Sequence, residues 1–353
     1  MTQAPTLIDV LPQHRFDEAA LTAYLASHLD DFPQPASIRQ FQGGQSNPTF
    51  MILAGPRRYV LRKKPPGKLL PSAHAIEREY RVMRALAGSP VPVPTVRLLC
   101  EDDSVIGTAF YVMDFVEGRV FTDPLLHDCA VSERTAIYGG MAATLAALHS
   151  VDWRACGLGD FGRPENYVAR QIDRWGKQYA ASKTDDIASM DHLIAELPKR
   201  IPPGDETAIT HGDYRLGNLM YHPDEPKVVA VLDWELSTLG HPLCDLGYAC
   251  MLYHLPSTGS SLGGMADIDI ASLGIPGEDA FVTEYCRLTG RTGIPDFPFY
   301  LAHSLFRIAA IAQGVYARGL QGNAADAGAS VRFRGMARLA ADVGWRILSE
   351  FKG

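Results

Sequence analysis

Hydrophobic and polar residues follow a pattern of short strands and helices along the first third of the chain. Apolar positions at helical spacing, with acidic residues at the start, predict an amphipathic helix over residues 16–29. From about residue 36 to 117 the predicted order is strand, strand, strand, helix, strand, strand, with the helix at 73–87. The first three strands, separated by glycine-containing turns, are predicted at 38–41, 49–53 and 58–64.

After Gly118 the pattern becomes mostly helical. Two short strand patterns interrupt the helices at 207–210 and 228–232. Stretches rich in glycine, serine and alanine at 257–277 and 319–330 predict loops. The predicted helices cover residues 132–149, 164–181, 186–199, 242–254, 278–289, 298–318 and 331–350.

This change of pattern predicts an α+β protein with a sheet-rich part and a helical part. We expect a helical extension at residues 1–35, a small sheet-rich lobe at 36–117, and a large helical lobe at 118–353. The length of 353 residues suits two lobes, and 46% hydrophobic with 21% charged residues is ordinary for a globular chain.

Charge and cysteine content narrow the classes of partner and compartment. The net charge of −7 does not indicate a nucleic-acid partner, because such proteins usually carry a basic footprint. The six cysteines contain no C-x-x-C pair, which favours reduced core residues and a cytoplasmic protein. Residues 1–20 lack the apolar core of a signal peptide, and the apolar stretch at 246–266 is interrupted by His254 and Pro256. We therefore predict a cytoplasmic location with neither nucleic acid nor membrane as partner.

The most informative segment for chemistry is residues 209–235. It contains His211-x-Asp213-x-x-x-x-Asn218, and an apolar strand pattern then ends at Asp233. Phosphoryl transfer needs a carboxylate that accepts the proton of a hydroxyl, together with hard oxygen ligands for Mg²⁺ on the nucleotide phosphates. Asp213 suits the first role, and Asn218 and Asp233 suit the second. The alternative interpretation is a polar turn capped by Asp213 and Asn218.

Two longer motifs connect this segment with a known family. The run H-G-D-Y-R-x-G-N-L-M followed by V-L-D-W-E resembles the aminoglycoside phosphotransferase family of small-molecule kinases. YVLRKKPPGKLLPSAHAIEREYRVM and LDWELSTLGHPLCDLGY are similar to the kinase-like domains fused to acyl-CoA dehydrogenases and to their stand-alone bacterial relatives. The resemblance implies a bilobal protein-kinase-like fold, ATP or GTP as co-substrate, and Mg²⁺. It also implies that Asp213 is the catalytic base and that Asn218 and Asp233 are the metal ligands.

The resemblance further implies a cation in the smaller lobe that binds nucleotide phosphates and pairs with a helix glutamate. Arg62 occupies the position where the family usually has lysine. Strand alternation places Arg62 and Lys64 on one face and Lys63 on the other, so which of the two contacts phosphate stays open. A solvated basic strand edge is the alternative. The glutamate is Glu79 by position, whereas Glu77 points to another side of the helix.

Two backbone segments are expected to contact the nucleotide. The first is a glycine-containing loop whose N–H groups could approach the phosphates closely, although an ordinary hairpin turn is an equal alternative. The second is the hinge that binds adenine, and it is implied by the resemblance alone. The residues concerned are Gly43, Gly44, Gln45, Ser46 and Asn47 in the loop, and Met113, Asp114, Phe115 and Val116 in the hinge.

Other motifs have structural interpretations that we prefer. Asp245 is expected to brace the catalytic loop or cap a helix, and His211 to orient that loop. Residues 157–162 spell G-x-G-x-x-G, but a dinucleotide fingerprint must follow a strand, and here a helix is predicted before it. The same segment contains Asp160-Phe161-Gly162, which precedes the catalytic loop and is therefore in the wrong order for the kinase metal site.

The sequence thus predicts a kinase that phosphorylates a hydroxyl of a small molecule. Similarity to domains fused with acyl-CoA dehydrogenases favours a hydroxyacyl or another metabolic acceptor. The alternatives are an aminoglycoside kinase and a nucleotide-binding pseudokinase or scaffold. The walls of the acceptor site are expected within 160–200 and 241–320. The sequence gives no indication of the oligomeric state.

Overall fold

A computed structural model describes residues 6–42, 47–65, 75–258, 263–320 and 327–352, without the side chains of 327–331. The chain forms two compact units. The first contains Met1–Val120, Cys156–Leu158 and Asn218–Ser237, and the second contains Phe121–Ala155, Gly159–Gly217 and Thr238–Gly353.

The first unit is built on a six-stranded antiparallel sheet. Its strands are β1 (Leu7–Ile8), β2 (Ala36–Phe41), β3 (Thr49–Ala54), β4 (Arg57–Lys63), β5 (Val96–Cys100) and β6 (Phe110–Asp114). They lie in the order β1-β2-β3-β4-β6-β5, and each neighbouring pair is antiparallel. The short turn between β3 and β4 favours their antiparallel pairing, whereas β6 rather than β5 lies next to β4, so only part of the sheet is a simple meander.

One face of the sheet packs against helix α1 (Glu18–His28). Leu21 and Leu25 of this helix are buried in one cluster with Phe50 and Ile52, which lie two residues apart on β3 and so share a face. Burying side chains of this size contributes roughly 1.5–3 kcal/mol each. The N-terminal helix is therefore part of the core of the first unit.

Helix α2 (Ile76–Leu86) contacts β5 and β6. Val82, Met83 and Leu86 are buried, and Glu79 is buried among them. The helix is amphipathic, as its sequence predicts, and it brings one acidic side chain into an apolar interface.

A smaller antiparallel sheet belongs to the same unit. It consists of β7 (Arg119–Val120), β9 (Leu219–Tyr221) and β10 (Val228–Val231), with β9 in the centre. Gly118 precedes β7, and a Cβ atom there would lie 2.4 Å from the backbone oxygen of Tyr221. Only glycine allows the two backbones to approach this closely.

The second unit is mostly helical. Its two-stranded sheet pairs β8 (Ala208–Thr210) with β11 (Thr238–Gly240). Its helices are α3 (Val131–His149), α4 (Tyr167–Ser182), α5 (Ala188–Glu196), α6 (Pro242–Cys250), α7 (Glu278–Thr289), α8 (Phe297–Leu320) and α9 (Ala327–Glu350).

Helix α8 forms the centre of the second unit. It contacts α4, α6 and α9, and buried side chains occur on every side of it. A helix that is apolar around its circumference is stable only when other elements cover it. Its continuation to Leu320 and the start of α9 at Ala327 show that the loop predicted for 319–330 is wrong at both ends. The prediction failed because these helix ends are rich in alanine and glycine, a composition that is also found in loops.

Every helix predicted from the pattern is present, but the shortest strands were missed. The runs β1, β7, β9 and β11 have only two or three residues each, too few to show an alternation. The helix predicted over 186–199 ends at Glu196, where a 3₁₀ turn that contains Pro198 continues to Lys199. Among the described helices, none is both long enough and apolar enough to cross a lipid bilayer.

Candidate active site

Asp213 lies in a loop that directly follows β8 in the second unit. His211 before it is fully buried, and Gly212 has a φ of +83°, a left-handed conformation that favours glycine. The amide of Asp213 donates a hydrogen bond to Nδ1 of His211 at 3.2 Å. This bond confirms that His211 orients the loop.

Asp245 holds the same loop from the first turn of α6. Its carboxylate accepts hydrogen bonds from the amides of His211 at 2.6 Å and Gly212 at 2.9 Å, and His149 Nε2 lies 3.5 Å away. Burial acts to raise the pKa of Asp245, but His149 and His211 outweigh burial and lower it below its usual value. The predicted bracing role of Asp245 is confirmed.

The carboxylate of Asp213 has two side-chain partners that the sequence did not reveal. Tyr248 donates its hydroxyl hydrogen to Oδ1 at 2.5 Å, and Arg215 Nε approaches Oδ2 at 3.3 Å. Tyr248 follows Asp245 by three residues on α6, so both side chains face the loop. One helix turn therefore holds both the loop backbone and its carboxylate. The only sequence signal was this spacing in H-P-L-C-D-L-G-Y.

Tyr248 and Arg215 also line a pocket of about 290 Å³ in the second unit. Most of its wall is apolar, and three methionines contribute to it. Among the described residues that line it, none is acidic. The lining residues are Thr122, Pro124, Tyr138, Met141, Arg215, Leu216, Gly217, Tyr248, Ala249, Met251, Leu252 and Met265.

In the first unit, the β9–β10 hairpin brings Asn218 next to the residue before Asp233. Leu219 pairs with Val231, and the amide of Leu232 donates to the backbone oxygen of Asn218 at 2.9 Å. Asn218 is buried, and Asp233 is half-buried with a φ of +65°. An amide oxygen and a carboxylate at one end of a hairpin are the hard donors that suit Mg²⁺, which takes few ligands from protein when phosphates supply others.

Arg62 of β4 lies among three carboxylates of the first unit. Its Nη2 is 3.0 Å from Asp233 and 3.9 Å from Glu235, and its Nε is 3.3 Å from Glu79. Burial alone would lower the pKa of the guanidinium, but Glu79 and Asp233 raise it above its usual value. Arg62 therefore stays charged and joins the predicted helix glutamate to the predicted metal ligand.

Glu79 is the buried centre of a hydrogen-bond network in the first unit. Its carboxylate accepts from Asn47 Nδ2 at 3.0 Å and from the hydroxyl of Tyr111 at 3.0 Å. Burial raises the pKa of Glu79 to about 7, and Arg62 and Tyr111 act against that increase.

The other basic residues of β4 are placed differently from Arg62. Lys64 pairs with Glu77 at 3.0 Å. Lys63 is buried on the opposite face, where it lies 5.6 Å from the ring centroid of Phe16, and burial lowers its pKa. Predicted alternation along the strand is confirmed, and Arg62 rather than Lys64 carries the pair with Glu79.

The two predicted nucleotide segments are only partly covered by the structure. Gly43, Gly44, Gln45 and Ser46 lie outside the described residues, so the phosphate-covering loop stays a prediction. At the predicted hinge the amides of Asp114 and Phe115 donate to the backbone oxygens of Thr95 and Arg58. The Asp114 carboxylate forms a bidentate pair with Arg97 at 2.8 and 2.6 Å. Met113 and Asp114 end β6, and Val116 follows it.

The glycine-rich segment at 157–162 lies between α3 and α4, with no strand immediately before it in this described stretch. Phe161 is fully buried. A Cβ atom at Gly162 would lie 2.4 Å from the side-chain oxygen of Thr238. Phe161 and Gly162 therefore serve packing, which supports the structural interpretation of this motif.

We expect Arg62→Lys to weaken Mg-ADP binding about tenfold, because one ammonium cannot reach both Glu79 and Asp233 as a guanidinium fork does. Lys64→Met should change the affinity by less than about twofold, since a partly exposed ion pair contributes little. Isothermal titration calorimetry measures both affinities. A larger loss in Lys64→Met would assign the phosphate contact to Lys64 instead.

The chain is similar in sequence to a known protein. Over 339 residues the chain is 48% identical to Acyl-CoA dehydrogenase family member 10 of Mus musculus, a match that covers 94% of this chain. The chain spans only 32% of the length of that curated relative. The match therefore covers about a third of that relative.

Two solved structures resemble the chain over nearly its whole length. A Ralstonia eutropha protein, provisionally named an aminoglycoside phosphotransferase, is 50% identical with a TM-score of 0.88, covering 96% of this chain and 100% of its own. A spectinomycin phosphotransferase solved with ADP and spectinomycin is 13% identical with a TM-score of 0.62, covering 95% of this chain and 98% of its own. These likenesses confirm the predicted α+β, protein-kinase-like fold class.

The family model described as APH, Phosphotransferase enzyme family, matches residues 37–280. This range runs from within β2 to the first turn of α7, and it includes Arg62, Glu79, Asp213, Asn218 and Asp233. Because the match spans more than half of the chain, the protein belongs to the APH phosphotransferase enzyme family.

Proposed function

We propose that this protein transfers the γ-phosphoryl group of Mg-ATP or Mg-GTP to a hydroxyl of a small acceptor with an apolar, acyl-type body. Asp213 would accept the hydroxyl proton through its carboxylate. Arg62 would bind nucleotide phosphates, and Asn218 and Asp233 would hold Mg²⁺. When bound, the ion neutralises phosphate charge and aligns the transferred group.

One observation carries the choice of acceptor. The two side chains that hold the Asp213 carboxylate, Tyr248 and Arg215, also line the pocket of about 290 Å³. An acceptor that places its hydroxyl at Asp213 would therefore extend its body along this pocket. Methionine, leucine and proline side chains favour an apolar body, since desolvating them is the main gain available there.

The lining of the pocket favours an acyl acceptor over an aminoglycoside. A polycation gains affinity and orientation from facing carboxylates, and the described lining residues include none. The name of the mouse relative refers to an acyl-CoA dehydrogenase, which also favours an acyl compound. Removal of an acyl hydroxyl is easier after phosphorylation, because phosphate is a better leaving group than hydroxide. We therefore propose a hydroxyacyl compound as the acceptor.

The test is ADP release from Mg-ATP, and then from Mg-GTP, with a panel of hydroxylated compounds. The panel contains hydroxyacyl-CoAs, free hydroxy acids, sugars, choline-like alcohols and aminoglycosides, with Asp213→Asn as the blank. Turnover of hydroxyacyl compounds above the blank supports the proposal. Turnover of aminoglycosides alone would replace it with the antibiotic-kinase alternative. Nucleotide binding without turnover of any compound would favour a pseudokinase.

A variant that narrows the pocket tests its role. We expect Ala249→Leu to raise the KM of the best acceptor about tenfold, because the added carbons occupy space that the acceptor needs. The KM for Mg-ATP should not change. Ala181→Leu adds the same atoms at an exposed position on α4 and is the matched control. Equal acceptor KM values in both variants would place the acceptor elsewhere.

A further inference from the structure

Arg307 of α8 lies in an unusual environment near the proposed acceptor site. Its guanidinium carbon is 5.3 Å from the ring centroid of Tyr248 and 5.5 Å from that of Trp175. Both rings are buried, and Tyr248 is the residue whose hydroxyl donates to Asp213. One aromatic ring therefore connects this cation with the proposed catalytic base.

Arg307 forms no ion pair with a carboxylate in the part of the chain that the structure describes. Its Nε is buried and donates to no acceptor among the described residues. Contacts with aromatic faces stabilise a cation by about 0.5–2 kcal/mol but do not neutralise it. A half-buried guanidinium whose buried Nε donates to no described acceptor is therefore incompletely satisfied.

Neighbouring groups do not supply the missing anion. Asp213, at the hydroxyl end of Tyr248, already accepts from Tyr248 and Arg215. His303 lies one turn before Arg307 on α8, and burial with the nearby Arg307 charge lowers its pKa to about 3, so it is neutral. Its two ring nitrogens also have no hydrogen-bond partner among the described residues.

A second unpaired cation lies on the same indole. The guanidinium carbon of Arg174 is 5.3 Å from the ring centroid of Trp175, and within the described chain Arg174 forms no ion pair either. Two cations next to one ring repel each other, and a bound anion would offset that repulsion. Arg174 is exposed, whereas Arg307 is half-buried, so Arg307 is better placed to exclude water from such an anion.

We propose that Arg307, seated between Trp175 and Tyr248, binds an anionic group of the acceptor. This inference rests on the proposed function and narrows its substrate class to hydroxylated compounds that carry a carboxylate or a phosphate. The planar guanidinium matches either group with two parallel hydrogen bonds. A carboxylate would belong to a free hydroxy acid, and a phosphate to the CoA part of a thioester.

The experiment measures binding without catalysis, so that its failure is separate from failure of the proposed function. Four probes with a six-carbon chain are titrated into the full protein in the presence of Mg-ADP, which has no γ-phosphoryl group to transfer. They are hexanoate, hexanoyl-CoA, the neutral S-hexanoyl-pantetheine, and 1-hexanol. Calorimetry gives the affinities, and tryptophan fluorescence compared with that of Trp175→Phe reports on the indole beside Arg307.

We expect at least one anionic probe to bind about tenfold or more tightly than 1-hexanol. Tight hexanoate binding assigns the carboxylate. Tight binding of hexanoyl-CoA with weak binding of its pantetheine analogue assigns the phosphates. Arg307→Gln should abolish the difference in affinity between the anionic probe and 1-hexanol. The affinity for 1-hexanol itself should not change.

Arg174→Gln is the matched control, because it removes the same charge at a similar distance from the same indole. It should weaken anion binding by less than about threefold, because water and salt screen the charge of an exposed side chain. If Arg307→Gln does not fold, Arg307→Lys takes its place and should weaken anion binding several-fold.

The proposal is overturned if 1-hexanol binds as tightly as the anions, or if no probe binds. It is also overturned if the Arg307 variants bind anions as the unaltered protein does, or if Arg174→Gln loses as much affinity. Anion binding that depends on Arg307, without transfer to any hydroxyl, would support this site while rejecting the proposed kinase activity.

Discussion

Asp213→Asn is expected to lower the rate of phosphoryl transfer by a factor of about 10²–10⁴, the usual contribution of a general base. Asparagine has the same shape, and its side-chain oxygen can still accept the hydrogen bond from Tyr248. It cannot accept the proton of the attacking hydroxyl. Mg-ADP affinity should stay within about twofold, because the proposed phosphate and metal ligands are other residues.

The measurement is ADP release under saturating Mg-ATP with the best acceptor of the panel, together with calorimetry of Mg-ADP binding. Asp173→Asn is the matched control, since Asp173 is an exposed carboxylate of the second unit that pairs with Lys177 at 2.8 Å. That control should keep full activity. Full activity in Asp213→Asn would show that another residue is the base.

Asp245→Ala is expected to have the largest effect on stability. The change removes a buried carboxylate that accepts from the amides of His211 and Gly212, and it leaves both amides and His149 without that partner. Breaking a buried charged network in this way costs about 3–5 kcal/mol. We therefore expect the free energy of unfolding to decrease by this amount near neutral pH. The measurement is urea denaturation monitored by circular dichroism.

The pH dependence of this deficit has a definite sign. Asp245 has a pKa below its ordinary value of 3.8 in the folded protein. The stability that its charge provides is fully present above pH 3.8 and is lost as the pH falls through the lower folded value. The difference between the unaltered protein and Asp245→Ala should therefore be constant at neutral pH and become smaller only in acid.

Asp152→Ala is the control for Asp245→Ala. Asp152 also accepts from two amides, those of Arg154 at 3.0 Å and Ala155 at 3.1 Å, but it is exposed. Water can replace its hydrogen bonds, so the loss should be about 1 kcal/mol. Equal losses at the two positions would mean that burial of Asp245 is not what makes it important.

Local sequence patterns were enough to predict much of the secondary structure and the family of this protein. The order of strands and helices from residue 36 to 117 follows from alternation and helical spacing, which depend on neighbouring residues. The same holds for the H-G-D and L-D-W-E motifs, whose fixed spacing made Asp213, Asn218 and Asp233 the candidate site residues and led to the correct family. Alternation along β4 also placed Lys63 opposite Arg62 correctly, because side chains of a strand point to alternate faces.

Tertiary structure decided the points that depend on residues far apart in the chain. Only packing of α2 on the sheet distinguished Arg62 from Lys64, since it brought Glu79 to Arg62 and Glu77 to Lys64. Packing of α6 and α8 likewise brought Tyr248 to Asp213 and to Arg307. These contacts span 35 and 59 residues of sequence, and no local pattern records them. Burial of the apolar faces of the helices determines which polar side chains come into contact. Those contacts in turn determine the chemistry that the site can perform.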